Sequence, residues 1–165
     1  MDIKNLKSLS SSQKIVVTCF VVTIMLGYLV AVMKIFDHNH LDLEKTLIYY
    51  RGAETGEDVG IILPPSFSTL LSVAHNHMFS QPVMLFLMGI LFTFTYMSQK
   101  SKSLFILLSF VGSLLSNASP WLIRYVSSKT VMLLPFSQML MMSSFFVMGF
   151  VVLYDIWGKT IHNDD

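Results

Sequence analysis

Long apolar runs separated by short polar segments dominate the chain. A helix that crosses a bilayer needs about 20 mostly apolar residues, so the pattern predicts four transmembrane helices. Their predicted ranges are 15–36, 67–97, 104–125 and 131–157. The first run is longer than the hydrophobic part of a signal peptide and no small-residue cleavage site follows it, so we expect a permanent helix. Ser66, just before the second run, is a good N-cap.

The only long polar segment between runs is 37–66, which we expect to form a loop on the outer face of the membrane. Asn39 or His40 would cap a short helix over 41–51, and Gly52 would end it. Apolar residues recur at helical spacing within this segment, so we expect the helix to lie on the membrane surface.

Composition supports an integral membrane protein. The chain is 53% hydrophobic and only 13% charged, and its mean hydropathy is +0.63. The net charge of +1 gives no reason to expect nucleic acid as a partner. A single cysteine, Cys19, excludes an internal disulfide and a cysteine-cluster metal site. We therefore predict an all-α, four-helix membrane bundle that forms one domain over 1–165, with the lipid bilayer as its main partner.

Charge around the runs predicts the orientation. The loop 37–66 holds six acidic residues against Lys45 and Arg51, whereas Arg124 and Lys129 follow the third run. Lysines flank the other ends of the runs: Lys4, Lys7, Lys14, Lys100, Lys102 and Lys159. Because cytoplasmic flanks carry the excess of positive charge, both termini are expected in the cytoplasm.

Polar side chains occur within the apolar runs. Asn117 and Gln138 lie in the third and fourth runs, at a depth similar to that of His75 and His77. A buried amide in hydrocarbon needs a partner, so we predict one polar layer shared by three helices, either as interhelical contacts alone or as part of a site. The third run also has a ridge of small residues that predicts a helix-packing face: Ser109, Gly112, Ser113, Ser116 and Ser119.

The triplet His-Asn-His occurs twice, at 38–40 and at 75–77. The outer loop joins the two triplets, so both lie on the same side of the membrane. Neutral imidazole is the commonest protein ligand for metals and also holds haem iron. The sequence therefore predicts a haem or transition-metal site near the outer face.

Helix geometry limits what the second triplet can contribute. Residues i and i+2 of a helix point about 200° apart, so only one of His75 and His77 can face the bundle. Spacing with Gly89 favours His75, whereas the row with Gln81 and Met88 favours His77.

The first triplet follows the end of the first span, where an extended backbone would put His38 and His40 on one side. Haem b would take one histidine from each triplet, with Arg51 or Arg124 pairing its propionates. Copper or zinc would use the histidines together with a nearby carboxylate. The candidate carboxylates are Asp37, Asp42 and Glu44.

Three short stretches carry a resemblance to known proteins: Tyr49-Tyr50-Arg51-Gly52, Ala74-His75-Asn76-His77-Met78-Phe79 and Trp121-Leu122-Ile123-Arg124-Tyr125-Val126-Ser127. With them the chain resembles a group of small bacterial four-helix inner-membrane proteins of no assigned function. The resemblance implies a multi-pass protein of the bacterial inner membrane and adds no activity. The triplet at 38–40 is not among these stretches.

These observations lead to one functional prediction and two alternatives. We predict a membrane-embedded protein that binds haem or a transition metal and serves in electron transfer or as an accessory to a respiratory or metal-handling complex. Its partners would be other membrane subunits or a redox partner on the outer face. The alternatives are a non-catalytic assembly subunit and a small-solute transporter, although no run carries a carboxylate near its middle. No phosphate-binding loop, dinucleotide motif or metalloprotease motif occurs, so we do not predict an enzyme.

Overall fold

The computed structural model describes residues 5–39, 42–54 and 61–158. The described part is helical apart from one pair of two-residue antiparallel strands, β1 (Ala53–Glu54) and β2 (Ile61–Ile62). Short 3-10 helices cover Leu6–Ser8 and Ser128–Met132. The α-helices are α1 (Ser11–Asn39), α2 (Leu43–Arg51), α3 (Phe67–Thr93), α4 (Gln99–Tyr125) and α5 (Leu133–Trp157).

Each of the four predicted apolar runs forms a helix: α1, α3, α4 and α5. Among the described residues, three segments are long and apolar enough to cross a bilayer: Ser11–Lys34, Gln99–Val126 and Ser128–Trp157. The all-helical membrane class is therefore confirmed. The helix outside this set is α3, which has no charged residue but is interrupted by His75, Asn76, His77 and Gln81.

Some helices begin or end at residues other than the limits of the predicted apolar ranges, because polar residues extend or cap them. Ser98 accepts a hydrogen bond from the backbone N–H of Ser101, so α4 begins at Gln99 and not at the first long apolar stretch. Ser66 caps α3 as predicted, by accepting from the N–H of Thr69. The first helix continues to Asn39, so His38 lies in its last turn. The prediction of extended backbone at His38 is wrong, because polar residues continue the helix beyond the apolar run.

The short predicted helix in the outer loop exists as α2, with a different cap. The carboxylate of Asp42, and not Asn39 or His40, accepts from the backbone N–H groups of Glu44 and Lys45 at 2.9 and 3.3 Å. Gly52 ends the helix as predicted, with φ +78°. A Cβ at Gly52 would lie 2.8 Å from the carbonyl oxygen of Ile62, so both conformation and space require glycine there.

The helix α5 contacts each of the other three long helices, and α3 packs antiparallel against α4. Tyr28 of α1 stacks on Phe145 of α5 with ring centroids 4.4 Å apart. The core is formed where α1, α3 and α5 meet: Val21, Met25, Tyr28, Leu85, Met88, Phe92, Met141, Phe145, Met148 and Val152. We call the end that carries α2 the α2 end. The opposite end, where α1 and α4 begin and α3 and α5 finish, is the terminal end.

Candidate functional site

The second His-Asn-His triplet lies on the half of α3 nearest the α2 end, where nearly every side chain from 71 to 80 is exposed. Farther along, α3 packs tightly. The buried residues of α3 are Leu70, Leu85, Met88, Gly89 and Phe92. At 100° per residue these positions form one stripe along the helix, which faces the other helices.

His77 lies on this bundle-facing stripe. It is one turn before Gln81, whose side chain is hydrogen-bonded to α4, and residues i and i+4 share a helix face. His75 points about 200° away from His77, toward the face that carries the exposed Phe79 and Phe86. The structure therefore favours the His77 row over the His75 row.

His77 remains exposed although its stripe faces inward. The adjacent Met78 is 52% exposed, whereas Leu70 and Leu85 on the same stripe are 5% and 1% exposed. The other described helices therefore do not cover His77 and Met78. The imidazole makes no hydrogen bond or ion pair with any other described residue.

The predicted ligands from the outer loop are only partly described. The side chains of Asp37, His38 and His40 lie outside the residues that the structure describes, so their role stays a prediction. Asp42 is engaged as the cap of α2, and Glu44 is exposed on that helix. Within the described ranges, no group of three or more His, Cys, Asp or Glu side chains lies close enough to hold a metal ion.

Side-chain hydrogen bonds in the polar layer join α3 to α4. The side-chain oxygen of Gln81 accepts from the hydroxyl of Ser113 and from the amide of Asn117, both at 2.8 Å, and the Asn117 amide also donates to the carbonyl of Ser113. Gln138 makes no hydrogen bond with another described residue, so its place in the layer stays a prediction. Sequence spacing relates Gln81 only to the His77 row and does not place it in the polar layer. Its position inside an apolar run was the signal that it needed a partner.

Arg124 holds α2 against α4. Its Nη1 donates to the carbonyl oxygens of Tyr50 and Arg51, both at 3.4 Å, at the C-terminal end of α2. A guanidinium is favourable there because the last carbonyls of a helix are unpaired and carry partial negative charge. Its Nε is buried and has no hydrogen-bond partner in the described part of the chain. The side chain of Arg51 is exposed.

The side chain of Tyr50 is half-buried on α2, which packs against α4 and the second 3-10 helix. Burial, with a smaller contribution from Tyr49, raises the pKa of Tyr50 to about 12.

The helical bundle and its three candidate spans define a multi-helix integral membrane protein. The chain belongs to a family of transmembrane helical domains (Aq_1264_TM), whose model matches residues 40–163 and thus covers α2 to α5. No curated protein and no solved structure matches the chain.

Proposed function

We propose that this protein is a membrane-embedded accessory subunit that binds haem b or a copper or zinc ion at its α2 end, with His77 as a ligand. Its role would be electron transfer, or service to a respiratory or metal-handling complex. The observation that carries the proposal is the exposed imidazole of His77 at the edge of the bundle-facing stripe of α3, which has no hydrogen-bond or ion-pair partner among the described residues.

The energetics of the bilayer support a ligand at this position. His77 lies eleven residues after the cap Ser66, which is about 16 Å along the helix at 1.5 Å per residue. A polar group at that depth without a partner costs a few kcal/mol. Coordination of iron, copper or zinc would satisfy the imidazole.

The remaining ligands would come from the α2 end. His38, in the last turn of α1, or His40, close to it in the sequence, would supply a second histidine ligand for a haem. The exposed Arg51 would pair a propionate more readily than Arg124, whose guanidinium is engaged by α2. For copper or zinc, Asp37 would be the carboxylate ligand, because Asp42 caps a helix.

We further propose that α3 crosses the membrane as the fourth span, with α2 at the outer interface and both termini in the cytoplasm. The antiparallel packing of α3 against α4 supports a full crossing. The lysines at the terminal end and the acidic residues of the outer loop support this orientation. The resemblance described above supports the bacterial inner membrane.

The test is an absorption spectrum of the detergent-purified protein, oxidised and dithionite-reduced, with metal analysis of the same sample. A Soret band with sharp reduced α and β bands is expected for haem, and a stoichiometric metal without a Soret band for copper or zinc. His77→Ala should remove the signal, and His75→Ala, two residues away on the opposite face, should retain it. A wild-type protein without either signal, expressed with haem and metals supplied, would contradict the proposal.

A second candidate function is supported by the outward face of α3. His75 and Asn76 are exposed at a depth where hydrocarbon would leave them unsolvated, which favours a partner helix that covers them. The chain would then be an assembly subunit of a larger membrane complex. In that case a His75→Leu, Asn76→Leu variant should lose co-purifying membrane proteins while His77→Ala keeps them. Unchanged co-purification in both variants would remove this candidate.

A further inference from the structure

A polar cavity of about 410 Å³ lies at the terminal end, opposite His75 and His77. Three parts of the chain enclose it: the 3-10 helix near the N-terminus, the turn between α3 and α4, and the end of α5. Its charged lining residues are Lys7, Lys102 and Asp155. Lys7 and Lys102 also belong to the lysines whose distribution predicts the orientation.

The carboxylate of Asp155 is the unexplained group in this cavity. Asp155 is only 3% exposed, and it makes no hydrogen bond or ion pair with any other described residue. A buried carboxylate is costly unless it is paired. A cationic or hydrogen-bond-donating group within the cavity would therefore stabilise this carboxylate.

The opposite charge is also present. Lys102 is 6% exposed and donates to the carbonyl oxygen of Thr93 at 2.8 Å, where it caps the C-terminal end of α3. An ammonium group has three donors, so two remain for another acceptor. Lys7 adds a second positive charge to the same cavity. The lining thus suits a ligand that carries an anionic and a cationic group together.

A second, apolar cavity of about 380 Å³ adjoins the polar one, because Phe94 lines both. It runs between the start of α1 and the end of α3, along Val16, Val17 and Leu91. Exposed aromatic side chains, Tyr96, Tyr154 and Trp157, surround the terminal end. Such aromatic residues gather at the level of lipid headgroups.

We propose that the two cavities together bind one phospholipid whose headgroup carries a phosphate and a primary ammonium, as phosphatidylethanolamine does. The phosphate is held by Lys7 and Lys102, the ammonium is held by Asp155, and one acyl chain lies in the apolar cavity beside Phe94. The ligand would join the N-terminal segment, the α3–α4 turn and α5. This site does not depend on the function proposed for His77.

The test is native mass spectrometry of the full chain, delipidated and then offered equal amounts of phosphatidylethanolamine, phosphatidylcholine and phosphatidylglycerol. One molecule of phosphatidylethanolamine should be retained, because its ammonium donates hydrogen bonds to a carboxylate and the other two headgroups offer no ammonium N–H. Asp155→Asn, which keeps the shape of the side chain, should lower that preference about tenfold. Lys7→Gln should weaken retention of the lipid and leave Lys102 in place as the cap of α3.

Lys100→Gln is the matched control. Lys100 lies in the first turn of α4, is exposed and does not line the cavity. Lipid preference in this variant should equal that of the wild type. Equal retention of the three lipids by the wild type, or an unchanged preference in Asp155→Asn, would overturn the proposal. Soluble glycerophosphoethanolamine should fail to displace the lipid. If it displaces the lipid, the site binds a free solute and the acyl-chain part is wrong.

Discussion

Gly112 shows how one residue sets the distance between two helices. A Cβ at this position would lie 2.7 Å from the backbone nitrogen and 2.9 Å from the Cα of Met141. Ser109, Ser113 and Ser119, from the predicted ridge of small residues, are buried beside it. In lipid, helices gain little from hydrophobic burial against each other, so this close approach supplies packing energy instead. The packing role predicted for the ridge is confirmed.

Gly112→Ala should destabilise the protein by about 1–3 kcal/mol, because the new methyl group meets the backbone of α5 and the helices must move apart. Gly27→Ala is the control, since a Cβ there would meet nothing within 4 Å. The free energy of unfolding in mixed detergent and SDS measures both variants. Equal stability of the two would show that α4 and α5 are not in close contact at this position.

The two halves of α3 differ in how far they are buried. Its second half packs against α4 and α5, whereas its first half is exposed and carries the histidine triplet. Gln81, at the boundary, binds Ser113 and Asn117, and Pro82 follows at once inside the helix. Proline removes one backbone hydrogen bond, so side-chain contacts of Gln81 hold α3 on α4 where the helix itself is weakened.

Gln81→Leu should therefore lower stability by about 1 kcal/mol, since it leaves Ser113 and Asn117 with fewer partners in an apolar layer. Faster hydrogen exchange in α3 should accompany the loss. Gln138→Leu is the matched control, because Gln138 has no hydrogen-bond partner among the described residues. A larger effect from Gln138→Leu than from Gln81→Leu would support the three-helix layer that the sequence suggested.

At the scale of the whole molecule, the two ends carry different chemistry. The α2 end has His75, His77, Arg124 and the short helix α2, whereas the terminal end has the charged cavity with Asp155. A cofactor site and a lipid site would then lie on opposite sides of one bilayer. This separation requires α3 to cross the membrane.

Cysteine labelling in intact cells tests that crossing and the orientation together. In a Cys19→Ser background, an impermeant maleimide should label Glu44→Cys and Ser128→Cys but not Lys100→Cys; all three positions are exposed. Lys100→Cys should react only after permeabilisation, which also controls for its reactivity. Labelling of Glu44→Cys and Lys100→Cys from the same side would mean that α3 does not cross. Labelling of Lys100→Cys alone would reverse the orientation.

The sequence by itself determined the helical membrane class, the positions of the long helices, and local features such as the Ser66 cap and the Gly52 stop. These follow from short-range physics, because a bilayer demands long apolar helices and the backbone at a helix end demands nearby partners. Periodicity also showed that His75 and His77 lie on opposite faces of one helix.

Only the tertiary structure decided which of those faces is covered. In the structure, Gln81 is hydrogen-bonded to α4 and Arg124 to the end of α2. Asp155 and Lys102 line one cavity, and His77 lies at the edge of the inner stripe of α3. Each of these contacts joins residues far apart in the chain. Spacing within one helix records which side chains share a face, but neighbours contributed by other helices determine whether that face is buried, paired or left open.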